Sequence, residues 1–164
     1  MQLLSTAFNG NQPIPARYTC DGENEHPPLT IKDPPKGARC FALVVHDPDA
    51  VSGDFVHWIL WNIPPDMRDI PAGILPDGAV QGRNSWGKSS YGGPCPPDGT
   101  GIHHYQFDLL ALDTPLDLDA SALLDKFLKT AEEHEIARTT LVGLYTRDAD
   151  REAEGIRVPV SGNR

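Results

Sequence analysis

The chain has 164 residues, 39% apolar and 23% charged, with 16 prolines, 15 glycines and a formal charge of -9. That length suits one domain over 1–164 with a core burying roughly two-thirds of the unfolded surface, and an acidic chain without clustered Lys and Arg excludes a nucleic-acid surface. Nowhere do about eighteen apolar residues run together, and Met1 to Pro15 lacks a charged and then apolar leader, which excludes a transmembrane segment and points to an unsecreted protein.

Cys20, Cys40 and Cys95 are odd in number, widely spaced and form no C-x-x-C. They indicate neither a disulfide framework nor a structural zinc site, and the expectation is reduced thiols in a cytoplasm.

Residues 1–38 are punctuated by Pro13, Pro15, Asp21-Gly22, Pro27-Pro28 and Asp33-Pro34-Pro35, the marks of loop with edge strands. Arg39 to His46 is the first strong strand, β-branched, aromatic and apolar on both faces. Phe55 to Ile63 is the second, where strict alternation groups Phe55, His57, Ile59 and Trp61 on one face. The nearly forty residues from Pro64 to Ile102 hold no long periodic element; Trp86 and Tyr91 make them an ordered wrap over one end of the sheet. His103 to Leu112 is the third strand, with His103, Tyr105, Phe107 and Leu109 together.

Ser121 to Glu135 has Leu123, Leu124, Phe127, Leu128 and Ala131 at helical spacing, with Asp119 or Ser121 as cap. Thr139 to Thr146 is the fourth strand. Asp148 to Arg164 is a charged tail with a short strand expected at Ile156 to Val160.

Among motifs, Gly82-Arg83-Asn84-Ser85-Trp86-Gly87-Lys88-Ser89 matches the G-x-x-x-x-G-K-[ST] phosphate loop letter for letter. The mechanism needs a buried strand before it and a helix after it, and Ser90-Tyr91-Gly92-Gly93-Pro94 cannot open a helix. No G-x-S-x-G elbow or H-E-x-x-H occurs. Adjacent His103 and His104 point to opposite faces of a strand and cannot share a metal; zinc held by His57, His103 and a carboxylate is a weaker alternative, and no metal or cofactor is expected.

The stronger signal is Asp47, Asp49, His57, His103 and Tyr105 gathered at strand ends beside Gly- and Pro-rich loops. Singly, each has a plain reading: Asp47-Pro48-Asp49 as turn chemistry, the histidines as satisfied core residues, and Tyr105 as core with its hydroxyl at the rim. His26, His46 and His134 read as structural or surface residues.

Together, Asp47-Pro48-Asp49-Ala50, then His57-Trp58, then Gly93-Pro94-Cys95-Pro96-Pro97-Asp98-Gly99-Thr100-Gly101-Ile102-His103-His104-Tyr105 closely resemble the two signature regions of the phosphatidylethanolamine-binding proteins, also called Raf kinase inhibitor proteins. Glu23 to Leu29 resembles the family's upstream Asn-x-Ser-Pro-Pro-Leu segment. The resemblance covers roughly residues 5–147 and is closest to the bacterial branch. It implies an antiparallel β-sandwich with peripheral helices and a pocket for phosphate or a phospholipid head group. Asp47, His57, His103 and Tyr105 match its pocket residues; Asp49 belongs to the same turn, Gly93 and Pro94 to the loop at the mouth, and Tyr91 to the rim. The resemblance leaves open a protein partner, a kinase or a protease, and a homodimer. Val51 stands where a proline is usual, loosening a turn, and His26 where a serine is usual.

The expected function is binding of a small anionic or phospho-ligand, with His57, His103 and Tyr105 as donors and Asp47 orienting one imidazole. A small hydrolase acting on a phosphoester or ester is the alternative, weakened because no activated nucleophile stands beside these residues in the sequence.

Overall fold

The computed structural model describes residues 1–147. The tail with its expected strand at Ile156 to Val160 lies outside them. In chain order the elements are β1 (Gln2–Leu4), β2 (Gln12–Pro13), a 3-10 turn (Ala16–Tyr18), β3 (Leu29–Lys32), β4 (Cys40–Asp47), β5 (Phe55–Ile63), β6 (Asp69–Ile70), β7 (Val80–Gln81), β8 (His103–Leu112), α1 (Leu124–Glu132) and β9 (Glu135–Tyr145). They form an antiparallel β-sandwich: a three-stranded sheet ordered β1-β3-β6 faces a six-stranded sheet ordered β2-β9-β8-β4-β5-β7. The short β2–β9 pair is parallel.

The large sheet is apolar on both faces because both are covered. Phe41, Leu43, Val45, Trp58, Leu60, Tyr105, Phe107 and Leu109 pack toward Leu3, Leu29 and Ile31 of the small sheet. Ala42, Val44, Val56, Ile59, Trp61 and Leu110 pack toward Phe127 and Ala131 of α1. Each large apolar side chain so buried contributes about 1.5–3 kcal/mol, and β4, buried at every residue but His46, sits at the centre. Alternation correctly places His103, Tyr105, Phe107 and Leu109 on one face of β8.

Alternation is interrupted at one point of β5, and both Val56 and His57 change face. Val45 pairs with Trp58 and His46 with Val56, so His57 is an extra residue without a partner on β4. Such a bulge re-aims side chains. Val56, Ile59 and Trp61 therefore face α1, whereas His57 joins Tyr105 on the opposite side; strict alternation would have turned it away with Ile59 and Trp61. A second shift, between Phe41 and Leu43, accommodates Asn62 at φ 57, and its amide bonds the Leu116 backbone at both ends.

The helix is shorter than its apolar pattern. Leu123 and Leu128 are exposed, only Phe127 and Ala131 are buried, and no side chain caps its start. The Asp119 carboxylate accepts from Ser121 in a turn instead. After His134 the chain passes directly into β9, four residues earlier than the apolar pattern implied.

The cysteine reading is corrected. Cys20 and Cys95 form a disulfide across 75 residues, and Cys40 alone is free and buried. Sequence spacing could not show it, because the pair is brought together by the wrap of residues 64–102 over the sheet end. Among the described residues no helix is long and apolar enough to cross a membrane.

Candidate functional site

At the end of the sandwich where β4 stops, β5 starts and β8 starts, a cavity of about 340 Å³ opens between the 48–54 turn and the 95–101 loop. Asp47, His57, His103 and Tyr105 lie together on it. Val51, Phe55, Trp86, Pro96 and Pro97 also line it, giving a polar floor and an apolar rim. The Asp-Pro-Asp turn is built by Asp47 itself, whose Oδ1 accepts the Asp49 N–H at 2.9 Å.

The other Asp47 oxygen, Oδ2, accepts from His103 Nδ1 at 2.6 Å, and both side chains are buried. On the far side of that ring, His103 Nε2 lies 2.9 Å from Thr100 Oγ1. Thr100 Oγ1 also lies 2.7 Å from the Pro97 carbonyl oxygen, to which it donates. The ring is thus held from both sides, by the Asp47 carboxyl group at Nδ1 and by Thr100 at Nε2.

His57 is set differently. Its Nδ1–H donates to the Gly92 carbonyl at 2.7 Å. Burial pushes its pKa below the ordinary 6.5, so at neutral pH the ring is neutral and Nε2 carries a lone pair. Phe55, Trp86 and Tyr105 stand edge-on around it, with ring centroids 5.2 Å from its own. Burial, and then the Asp47 charge, drive the Tyr105 hydroxyl well above its usual range, which keeps it an O–H donor. The expected set of three donors becomes a hydroxyl donor, a neutral imidazole and a buried, hydrogen-bonded Asp47–His103 pair.

The other candidates are not on the cavity. Asp49 turns outward, where Oδ2 accepts from the His104 backbone N–H at 2.9 Å and from His104 Nδ1 at 2.7 Å. Tyr91 donates its hydroxyl to the Tyr18 carbonyl at 2.7 Å and packs edge-on against Trp58. Gly93 donates to Asn24 Oδ1 at 2.8 Å, and a Cβ there would stand 2.4 Å from the Tyr18 carbonyl oxygen. The Pro94 carbonyl accepts from Cys20 N at 3.1 Å. These three secure the segment behind the mouth.

His26 stacks on Trp58 with centroids 4.7 Å apart, beneath the wrap and off the cavity. Val51 is 77% exposed on the rim. The 82–89 segment is a loop in which Asn84 Oδ1 accepts from the backbones of Trp86 and Lys88, so its fit to the phosphate-loop pattern is one of letters. Among the described residues no three His, Cys, Asp or Glu side chains are placed to hold a metal ion.

Sequence reasoning missed Thr100, Phe55, Trp86 and the Pro96-Pro97 wall. Only Thr100 carried a signal, as the hydroxyl of the Gly99-Thr100-Gly101 run just before β8.

The model of the phosphatidylethanolamine-binding proteins matches residues 4–146. The chain belongs to this family. A UPF0098 protein of Methanothermobacter thermautotrophicus is 48% identical over 152 residues, covering 90% of this chain and 99% of that one. Among solved structures, a Chlamydia trachomatis protein described as a homologue of phosphatidylethanolamine-binding protein shares 37% identity, with TM-score 0.85 over 90% of this chain and 97% of that one. Escherichia coli YbcL, described as a new member of the mammalian family, shares 32% identity, with TM-score 0.84 over 90% and 98%. As a phosphatidylethanolamine-binding-family chain, it has its β4–β5 and β8 motifs, the ones the resemblance rested on, at the edge of one cavity.

Proposed function

We propose that this protein binds a small anionic or phospho-ligand, inorganic phosphate or a phospholipid head group, in the cavity of Asp47, His57, His103 and Tyr105. The observation that carries the reading is the meeting of a protonated-phenol donor, an imidazole and a hydrogen-bonded Asp47–His103 pair on one floor beneath an apolar rim. A lone Asp47 would repel an anion; here its two carboxyl oxygens are taken up by the Asp49 N–H and by the His103 ring. Tyr105 donates to one ligand oxygen, and His57 takes up a proton as the anion arrives and donates through Nε2.

The pH sign follows. An anion raises the pKa of His57 from its depressed free value, so affinity is highest below that value and falls as pH rises through the raised, bound one. Calorimetric titration with inorganic phosphate from about pH 5.5 to 8.5, in buffers of different ionisation enthalpy, should show proton uptake on binding and weaker affinity at the basic end. Equal affinity across that range would overturn the reading.

One observation favours the hydrolase alternative: Thr100 Oγ1, His103 and Asp47 stand in the hydroxyl–imidazole–carboxylate order of acyl transfer. The Thr100 hydrogen resting on Pro97 O opposes it. Turnover of a phosphoester and ester panel, abolished in His103→Ala, would establish the enzyme. A partner kinase or protease would meet the exposed rim at Val51 and Trp86. The Cys20–Cys95 bond favours an oxidising compartment over the cytoplasm that the thiol count suggested.

A further inference from the structure

We propose that a second cavity, on the other side of Trp86, is an anion subsite, so that the ligand of this protein carries two anionic groups joined by an arm. One group sits in the cavity of Asp47, His57, His103 and Tyr105, and the other beside Lys88. The inference rests on the anion-binding reading above and extends it to the class of ligand.

The second cavity, of about 410 Å³, is lined by Asn24, Asn84, Lys88, Ser90 and the 91–93 segment, and it shares Trp86 and Cys95 with the first. The two adjoin through one pair of residues. His57, on the first cavity, donates through Nδ1 to the Gly92 carbonyl at 2.7 Å, and the N–H of Gly92, on the second, donates back to the His57 carbonyl at 3.1 Å.

The wall between them is held by the loop that follows β7. Asn84 is buried and braces it: its N–H donates to the Lys88 carbonyl at 2.9 Å, its Oδ1 accepts from the Trp86 and Lys88 N–H groups at 3.0 and 3.1 Å, and its Nδ2 donates to the Ser90 carbonyl at 2.8 Å. A buried amide satisfied at both ends fixes what it binds, here the backbone of three lining residues. Ser85 ties the loop to β5, donating to the Val56 carbonyl at 2.9 Å and accepting the Val56 N–H at 2.8 Å. Gly92 lets the indole lie on the 91–93 segment, since a Cβ there would stand 2.3 Å from the Trp86 ring.

Charge selects the ligand. No Asp or Glu lines the second cavity, and Lys88 is the only Lys or Arg lining either one. Among the described residues Lys88 forms no ion pair. The oxygens that would attract a cation are engaged: Asn24 Oδ1 by Gly93, Asn84 Oδ1 by the loop, the Gly92 carbonyl by His57 and the Ser90 carbonyl by Asn84. In a chain of net charge -9, a lysine in a cavity free of carboxylates makes a local anion site. It acts through its charge alone, without the strand and helix of a phosphate loop.

Because the cavities share Trp86, one molecule reaches both, its arm crossing the half-exposed indole. The second anchor then binds without a second loss of translational freedom. Lys88 is exposed, so water screens it, and the gain is about three- to tenfold in Kd.

The test uses the full chain and alkylphosphonates of increasing arm length, each length as a pair ending in carboxylate or in methyl, titrated calorimetrically. At the length that spans Trp86 the carboxylate should bind about three- to tenfold tighter than its methyl partner. The sign is diagnostic, because an added negative charge otherwise weakens binding to so acidic a protein. Lys88→Gln should abolish the preference, and Lys88→Glu should transfer it to an arm ending in ammonium. Each comparison is made within one variant, so any change in the first cavity cancels. Amide NMR should show Lys88, Ser90 and Gly92 shifting with the carboxylate probe of that length and not with its methyl partner. A carboxylate favoured at no length, a preference that survives Lys88→Gln, or amides that respond equally to both probes would each overturn the subsite. If inorganic phosphate binds and the carboxylate adds nothing, the second subsite alone falls; if neither phosphate nor any phosphonate binds, the function proposed above falls and this inference with it.

Discussion

His57 and His103 face one cavity in different settings, and the difference lies in what each Nδ1 meets: a carbonyl of Gly92 in one case, the Asp47 carboxyl group in the other. Tyr105 differs from both, because it lines the cavity with a phenol that burial keeps protonated. Tyr105→Phe should therefore weaken phosphate binding by about tenfold or more, the cost of losing a hydrogen bond to a charged group, with the thermal midpoint nearly unchanged. Calorimetry beside a thermal melt checks both halves. His46, read from sequence as structural or surface, proves to be a charged tie on the α1 side. Nδ1 bonds Asp54 and Nε2 bonds Asp108, each at 2.8 Å. The bond to Asp108, and then that to Asp54, raise its pKa from 6.5 to about 9 against the cost of burial. A raised histidine stabilises fully below its unfolded value and loses that contribution as pH rises through the folded one. The rise corresponds to at most about 3 kcal/mol, discounted because Asp54 is more than half exposed. His46→Gln should cost about 1–2 kcal/mol in urea unfolding near pH 6 and almost nothing above about pH 9.5; a cost independent of pH would show that the ion pairs contribute nothing.

Strands carry this fold, and a single irregularity in one of them aims the site. β5 was legible because its residues are β-branched and aromatic, and β8 because its alternation runs unbroken from His103 to Leu109. The bulge at His57 was not, since it arises from register against β4, a property of two strands that neither sequence contains. The same holds for loops. Tyr91 and Pro94 look like rim residues in the motif, but their partners, Tyr18 and Cys20, come from a turn more than seventy residues earlier. The helix was overread for a different reason: Leu123 and Leu128 fit the apolar period although the sheet covers only the stripe of Phe127 and Ala131. Gly93 shows how tightly turn and loop are pressed together. A methyl placed 2.4 Å from the Tyr18 carbonyl oxygen and 2.9 Å from the Thr19 Cα meets backbone that cannot rotate aside. Gly93→Ala should cost about 1–3 kcal/mol, the range for overpacking a closed site, measured as a lower urea midpoint with unchanged slope. An unaltered midpoint would mean that the two segments separate easily.

The whole molecule joins an early, proline-punctuated segment to a late loop over the open end of a sandwich, and three kinds of bond share that task. Backbone bonds link Cys20 to Pro94, the Arg147 guanidinium spans Asp21 and Asp98, and the disulfide closes 75 residues of chain. All of β3, β4 and β5, and the wrap that follows them as far as Cys95, lie inside that closed loop. A cross-link acts mainly on the unfolded chain, removing conformations that would otherwise favour it, and a loop of this length is worth about 4 kcal/mol in the chain-entropy picture. Arg147 lowers the return, because a cation beside the sulfurs also stabilises the reduced thiolates. Cys20→Ser with Cys95→Ser should therefore lose about 2–4 kcal/mol of unfolding free energy. The urea slope should steepen, since the uncrosslinked chain exposes more surface when it unfolds. Wild type measured in excess reductant should coincide with the double variant, as both lack the same tether. Should the oxidised, reduced and doubly substituted proteins all unfold at one midpoint with one slope, the backbone bonds and the Arg147 bridge would be enough to hold the loop, and the disulfide would add nothing to the fold.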